Sequence, residues 1–312
     1  MRLIEQAVEL LQRASAERPV DPEAVPIRKP ISHLIERGEM PPAPDAPAAI
    51  VVVPCRSDRA VRIDIHALRA VGLVAPEDEE RQIAAEYRII KPPLLAGMTG
   101  ENRLRLGNVV VVTSALPGEG KTFTAINLAR SLALERDRKV VLVDGDVAKA
   151  HLTQLLGLDG EPGLLDLSAE GREFDETIVK TDDPSLYVLP AGNKNPEATE
   201  ILRSERTASL LASLASDPRR ILLIDAPPLL VTSEAGVVAS LAGQVVLVVK
   251  AAETPQEAVM RAIETIADDQ PVSLVLTHAD AVQVHGYGYY GRYSYGRPDD
   301  SSGDSSGGPN PK

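Results

Sequence analysis

Six short apolar runs punctuate the chain, at 109–112, 140–143, 186–189, 221–224, 245–249 and 272–276. Each is four or five residues long and most are rich in Val and Ile, which predicts buried strands rather than helices. Helical spacing fills most of the intervals between them; Phe123, Ile126, Leu128 and Leu132, for example, fall on one inward face. Strands alternating with helices predict an α/β fold, a doubly wound, mainly parallel sheet. One helix start is marked in detail, with Thr254 as N-cap, Pro255 in the first position and Glu257 three residues after the cap.

Outside this core the pattern changes. Residues 1–16 predict an amphipathic helix, with Leu3, Ile4, Ala7, Val8, Leu10, Leu11 and Ala14 on one face. Residues 17–60 carry Pro19, Pro22, Pro26, Pro30, Pro41, Pro42, Pro44 and Pro47 without an apolar period, and read as a flexible linker. A segment at 61–106 reads as a docking or oligomerisation element. In it Ile83, Ala84, Tyr87 and Ile90 recur at helical spacing over 77–90, and Pro92-Pro93 predicts that the helix stops there. The main domain is expected over 107–284. From 285 to 312 Tyr, Gly, Arg, Ser, Asp and Pro dominate, and so few aliphatic residues predict a disordered tail.

Composition narrows the function classes. With 312 residues, 44% hydrophobic and 25% charged, the chain can bury a substantial core. Aromatics are only 3%, so that core is aliphatic, as in helix-covered parallel sheets. A net charge of −12 and no long basic run argue against nucleic acid as a main partner. The single cysteine, Cys55, leaves no internal disulfide, and the 5 histidines show no ligand-like spacing, so no structural metal site is expected. No run of apolar residues long enough to span a bilayer occurs, and the start lacks a signal-peptide core; a cytoplasmic protein is expected.

The chemistry centres on Ala115-Leu-Pro-Gly118-Glu-Gly120-Lys121-Thr122, a P-loop pattern lying between an apolar strand and an amphipathic helix. There the loop N–H groups and the helix N-terminus face the phosphates of ATP. The expected binding residues are Gly118, Glu119, Gly120, Lys121, Thr122 and Phe123, with Lys121 neutralising the β- and γ-phosphates and the Thr122 hydroxyl on Mg²⁺. Three further carboxylates follow strands: Asp144 and Asp146 after 140–143, and Asp225 after 221–224. C-terminal strand ends line one edge of an open parallel sheet, so all three are expected to converge on the metal.

With these motifs in order, the chain resembles the bacterial tyrosine kinases of polysaccharide-export loci, in particular the autokinases of exosortase-associated exopolysaccharide clusters. The likeness rests on Pro-Gly-Glu-Gly-Lys-Thr at 117–122, Asp-Gly-Asp at 144–146, Ile-Asp-Ala-Pro-Pro at 224–228, Gly192-Asn-Lys-Asn-Pro196, and Ile201-Leu-Arg-Ser204. Glu86-Tyr-Arg88 and the tyrosine-rich terminus add to it. Division and partition ATPases share the sheet but typically carry a lysine near the start of the loop, where this chain has Leu116 and Pro117; a hydrolase of that type cycling on a membrane partner is the alternative. The resemblance implies that Asp144 assists deprotonation of the attacking tyrosine and that Thr122, Asp146 and Asp225 organise Mg²⁺, with Lys121 also catalytic. It implies a homo-oligomer, a separate membrane-embedded polysaccharide co-polymerase as partner, an opposing tyrosine phosphatase, and a place at the inner face of the cell membrane. Three positions depart from the family: Ala85, Arg88 and Lys91 stand where its oligomerisation helix often reads Glu-x-x-Arg-x-x-Arg, Lys149 replaces an arginine, and Thr277-His278 stands where relatives often carry asparagine.

Of 7 tyrosines, five fall in one short stretch: Tyr287, Tyr289, Tyr290, Tyr293 and Tyr295. Core tyrosines do not cluster so, and these are the expected phosphoacceptors. If 272–276 is a parallel strand, the tail leaves from the same sheet edge as the ATP site. Each phosphate adds about −1.5 to −2 charge, so repeated modification makes the tail strongly anionic.

Overall fold

The computed structural model describes residues 60–61, 65–100, 103–170 and 174–279. The helix expected at 1–16, nearly all of the linker and the tyrosine tail lie outside the described residues. Within them the chain runs β1 (Ala60–Val61), α1 (Ile65–Ala70), α2 (Glu80–Met98), β2 (Val109–Ser114), α3 (Lys121–Ala133) and β3 (Lys139–Asp144). It continues through α4 (His151–Leu155), α5 (Leu164–Glu170), α6 (Phe174–Thr177), β4 (Val179–Thr181), β5 (Leu186–Leu189), α7 (Ala198–Arg203) and α8 (Glu205–Leu214). The last elements are β6 (Arg220–Asp225), α9 (Ser233–Ser240), β7 (Gln244–Lys250), α10 (Gln256–Glu264) and β8 (Val272–Thr277).

All six expected strands are present, in an 8-stranded sheet of order β1-β4-β5-β3-β6-β2-β7-β8. Every pairing is parallel except β4 with β5. The two strands not foreseen, β1 and β4, are two and three residues long, too short to show a period. Alternation along the central strands splits the core in two. Val110, Val112, Val140, Leu142, Ile221 and Leu223 face α2 and α3 with Leu128 and Leu132, whereas Val109, Val111, Val141, Val143, Leu222 and Ile224 face Leu202, Leu211 and Val238. Successive strand residues point to opposite faces, so near-continuous Val/Leu/Ile runs fit a sheet covered on both sides.

Two local expectations are corrected. First, α2 does not end before Pro92 but passes through Pro92 and Pro93 to Met98. Each proline removes a helical N–H, freeing the carbonyls of Arg88 and Ile89. Both residues are exposed, while Leu94 and Met98 are 1% and 2% exposed in the main core. Burial of two large side chains, each stabilising by about 1.5–3 kcal/mol, offsets the lost bonds. Gln244 Nε2 fixes the same turn by donating to Leu94 O (3.0 Å) and Gly107 O (2.6 Å). Close approach there requires glycine: a Cβ at Gly97 would lie 2.8 Å from the Gln244 side chain, and one at Gly107 would lie 2.1 Å from Gly97 O.

Second, Thr254 makes no cap bond; α10 starts at Gln256 behind Pro255, and the Thr254 hydroxyl is engaged elsewhere. The segment 65–98 shares the main core, with Leu68, Val74 and Tyr87 in the same buried cluster as β2 and β3. Lys91, at a position matched to the family's oligomerisation helix, is 7% exposed and donates to Ser131 O (2.9 Å) and Glu135 Oε1 (2.6 Å) of the neighbouring α3 region. It is an internal link between two helices.

Leu94→Ala should therefore cost about 2–5 kcal/mol in urea unfolding. Ile89→Ala, 77% exposed and ahead of the prolines, should stay within about 0.5 kcal/mol. Equal, negligible effects would show that the turn beyond the prolines is not packed.

Candidate active site

Three adjacent strands, β3, β6 and β2, end on one edge. In register, Asp144 pairs with Asp225 and Asp225 with Val112, so the carboxylates of β3 and β6 stand about 5 Å apart in backbone spacing, beside the loop that leaves β2. In that loop Gly118 and Gly120 take φ of 81° and 91°, left-handed values that turn successive N–H groups toward one concavity. The 13-residue α3 begins immediately at Lys121. Lys121 Nζ lies 4.0 Å from Asp146 Oδ2, and both side chains are largely buried, 14% and 6% exposed. Thr122 is buried at 7%, and its side chain interacts with the Asp225 carboxylate.

The three aspartates differ in kind. Asp225 is 2% exposed and its Oδ1 is buried without a hydrogen-bond partner. Burial pushes its pKa up to about 7; the Lys121 charge and Thr122 oppose this, and Asp144 and Asp146 add to it. Asp144 is fully buried, and its Oδ2 accepts from Thr153 N (2.8 Å) and Thr153 Oγ1 (2.7 Å) while Oδ1 accepts from Asp146 N (3.1 Å). Burial raises it to about 6 against those bonds. Both oxygens thus help to hold the 144–153 turn, Oδ2 through Thr153 and Oδ1 through the Asp146 N–H. Asp146 is the carboxylate presented to Lys121.

An orphaned buried carboxylate oxygen, beside a lysine, a threonine hydroxyl and a second carboxylate, suits a hard divalent cation. Thr122, Asp146 and Asp225 would hold Mg²⁺. Among the described residues no group of three or more His, Cys, Asp or Glu side chains is placed to hold a metal ion; phosphate oxygens of a bound nucleotide would add to these partners.

Several contacts were not legible beforehand. The Glu119 side chain turns away from the loop's concavity: it is 3% exposed, accepts from Leu116 N (2.7 Å) and accepts from the Thr254 hydroxyl. Its contribution to phosphate binding is its backbone N–H. Phe123 is half-buried, and its carbonyl accepts from Asn127 Nδ2. Thr277 Oγ1 donates to Glu119 O (2.8 Å), bringing the end of β8 onto the loop. His151, opening α4, is held below the usual histidine value by partial burial and by Lys121. Asn193, within the Gly192–Pro196 motif, ties to Asp166 through its backbone N–H (3.0 Å) and Nδ2 (2.8 Å), a structural role.

The raised carboxylates carry a pH signature. A folded pKa above the unfolded one means the native state binds the proton more tightly, so stability is greatest at low pH and falls as pH rises from about 4 to 7 for Asp225 and from about 4 to 6 for Asp144. At about 1.4 kcal/mol per unit, Asp225 alone is worth on the order of a few kcal/mol. Asp225→Asn should raise the melting temperature of the ligand-free protein at pH 8 more than at pH 5. In wild type, the stabilisation by Mg-ADP should grow between pH 6 and 8, and the variant should lose that growth. Parallel melting curves at all pH values would refute the assignment.

An AAA domain family matches residues 107–275, more than half of the chain. Tyrosine-protein kinase YwqD of Bacillus subtilis is 30% identical over 184 residues, 58% of this chain and 77% of YwqD. Tyrosine-protein kinase wzc of Salmonella typhimurium is 31% identical over 195 residues, 62% of this chain. The chain spans about a quarter of the length of wzc and the other long curated relatives it matches. Among solved structures, the kinase domain of Escherichia coli tyrosine kinase ETK superposes with a TM-score of 0.54 at 25% identity, covering 61% of this chain and 73% of that one. With the loop, the strand-end aspartates and the sheet order all in place, the chain belongs to the AAA domain family of P-loop ATPases and, within it, to the bacterial tyrosine kinases.

Proposed function

We propose that this chain is an ATP- and Mg²⁺-dependent protein-tyrosine autokinase whose acceptors are Tyr287, Tyr289, Tyr290, Tyr293 and Tyr295. One observation carries the choice of acceptor. Strand β8 ends at Thr277, in hydrogen-bond contact with the P-loop, so the chain leaves the fold beside the phosphate site. Tyr287 is ten residues further on, within about 35 Å of extended reach.

The residues divide the work. Lys121 neutralises the charge of the transferring phosphoryl group, and backbone N–H groups of 118–123 orient the phosphates. Bound Mg²⁺ would supply electrostatic neutralisation between the phosphates, with Thr122, Asp146 and Asp225 as its protein partners. Asp144 holds the turn that presents Asp146 to the metal and, as the family resemblance implies, assists removal of the phenolic proton from the attacking tyrosine. That proton has a pKa near 10 in an ordinary tyrosine, about 4 kcal/mol from full ionisation at pH 7. A largely dissociative transfer needs little nucleophilic push, so proton loss comes late and in-line positioning supplies most of the rate.

The family resemblance extends the reading to regulation of exopolysaccharide chain length and export through a separate membrane-embedded co-polymerase and an opposing phosphatase. Among the described residues no helix is long and apolar enough to cross a membrane. Docking is assigned to residues 1–14 or 77–91; within the latter Arg81, Arg88 and Ile89 are exposed. Accumulation of negative charge on phosphorylated tails would loosen an oligomer in which tails occupy neighbouring sites.

Mass spectrometry of the purified chain after incubation with Mg-ATP should find phosphate on residues within 287–295 in wild type and none in Lys121→Met. Absence from wild type would overturn the kinase reading. Mixing an active chain lacking residues 285–312 with full-length Lys121→Met should label the latter if transfer runs between copies.

A further inference from the structure

The P-loop is braced by one side chain of its own and two from outside it, none of which the phosphate chemistry requires. Glu119 places its carboxylate between the loop's own backbone, at Leu116 N (2.7 Å), and the hydroxyl of Thr254 in the β7–α10 connection. Thr254 Oγ1 in turn accepts from Lys250 N at 3.1 Å. On the other side, Thr277 donates to Glu119 O at 2.8 Å, and its Cγ2 lies 3.2 Å from where a Cβ on Gly120 would sit. Ala251 N donates to Thr277 O at 2.9 Å, so the β7–α10 connection and the end of β8 are themselves joined. The result is a closed circuit: loop to Thr254, Thr254 to β7, β7 to β8, and β8 back to the loop.

We propose that Glu119, Thr254 and Thr277 form a carboxylate–hydroxyl latch that fixes the left-handed turns at Gly118 and Gly120. Thr254 and Thr277 are positioning residues for the phosphate-binding N–H groups, acting through Glu119. Left-handed glycines are conformationally permissive, and an unbraced loop of this kind samples shapes in which its N–H groups diverge. Glu119 is 3% exposed, so a carboxylate that loses its hydroxyl donor is left buried and under-bonded, and the loop must move to hydrate it. The latch also gives the exit of β8 a direct mechanical connection to the loop, so strain on the chain beyond Thr277 is transmitted to the nucleotide site. The inference rests on the reading of this loop as a nucleotide site, and nucleotide affinity tests it independently of any transfer activity.

Titration calorimetry of the full chain with Mg-ADP supplies the test. Thr254→Val and Thr277→Val keep the side-chain shape and remove the hydroxyl; each should weaken Mg-ADP by about tenfold, the scale of one well-placed hydrogen bond. Thr254→Ser and Thr277→Ser should restore affinity to within about twofold. Glu119→Gln should weaken binding comparably, and Glu119→Gln combined with Thr254→Val should be no worse than the worse single variant, because both break one contact. Melting temperatures of the ligand-free variants within about 3 °C of wild type would place the loss in the loop and not in the fold. Unchanged affinity in the valine variants, equal loss in valine and serine variants, or strictly additive losses in the double variant would overturn the latch. Should a valine variant fail to fold, the Glu119→Gln and serine variants decide the matter. Loss of phosphotyrosine from wild type with the affinity pattern intact would remove the kinase reading and leave the latch standing.

Discussion

The site depends on one electrostatic constraint: two aspartates held side by side in a buried sheet with a single ammonium near them. Register pairs Asp144 with Asp225, both at or near zero exposure, and the strands that fix this register, β3 and β6, are buried throughout except at their first residues. Like charges this close disfavour joint ionisation, and burial compounds the effect. Thr153 and the Asp146 N–H relieve Asp144. Asp225 receives no comparable relief, and its Oδ1 stays unpartnered. The imbalance suits the site to a cation: a bound Mg²⁺ together with phosphate would recover the cost of the second carboxylate.

The same constraint explains the sheet order. Placing β6 between β3 and β2 brings both strand-end carboxylates within reach of a loop that leaves β2, though the chain visits β3 directly after β2. The crossover helix between them, α3, begins at the loop and packs Leu128 and Leu132 against the sheet, so its N-terminus cannot shift without disturbing the core. Position of the phosphate-binding groups is therefore inherited from hydrophobic packing several ångströms away.

Much of this was legible in the residues and some was not, for identifiable reasons. The six apolar runs announced the strands because parallel strands buried on both faces need unbroken aliphatic sequence. The loop and the strand-end aspartates were legible because their spacing is local. The course of α2 was misread because helix propensity at Pro92-Pro93 is local too, whereas what overrides it, the burial of Leu94 and Met98 and the Gln244 bridge, comes from residues about 150 positions away in the chain. Thr254 misled for the converse reason: its sequence context fits a cap, but a buried carboxylate from the P-loop competes for the same hydroxyl and wins. Thr153, nine residues past Asp144, and Thr277, far beyond the loop, carried no local signal at all.

The proposed acceptor follows from connectivity more than from recognition. On that proposal, connection through Thr277, which contacts the loop, would hold the tyrosines at a high effective concentration near the phosphate whether or not any groove binds their sequence. Tethering of this kind supplies proximity without supplying a unique register, since a segment that reaches about 35 Å at its first tyrosine passes many positions equally well. Five acceptors in nine residues suit such a mechanism: what the tether cannot specify, repetition provides. A site selecting one tyrosine by contacts would need only that one. On the proposed reading, the cluster's redundancy and the contact of β8 with the P-loop would serve a single design, in which chain geometry would deliver the substrate and the buried carboxylates would set the chemistry it meets.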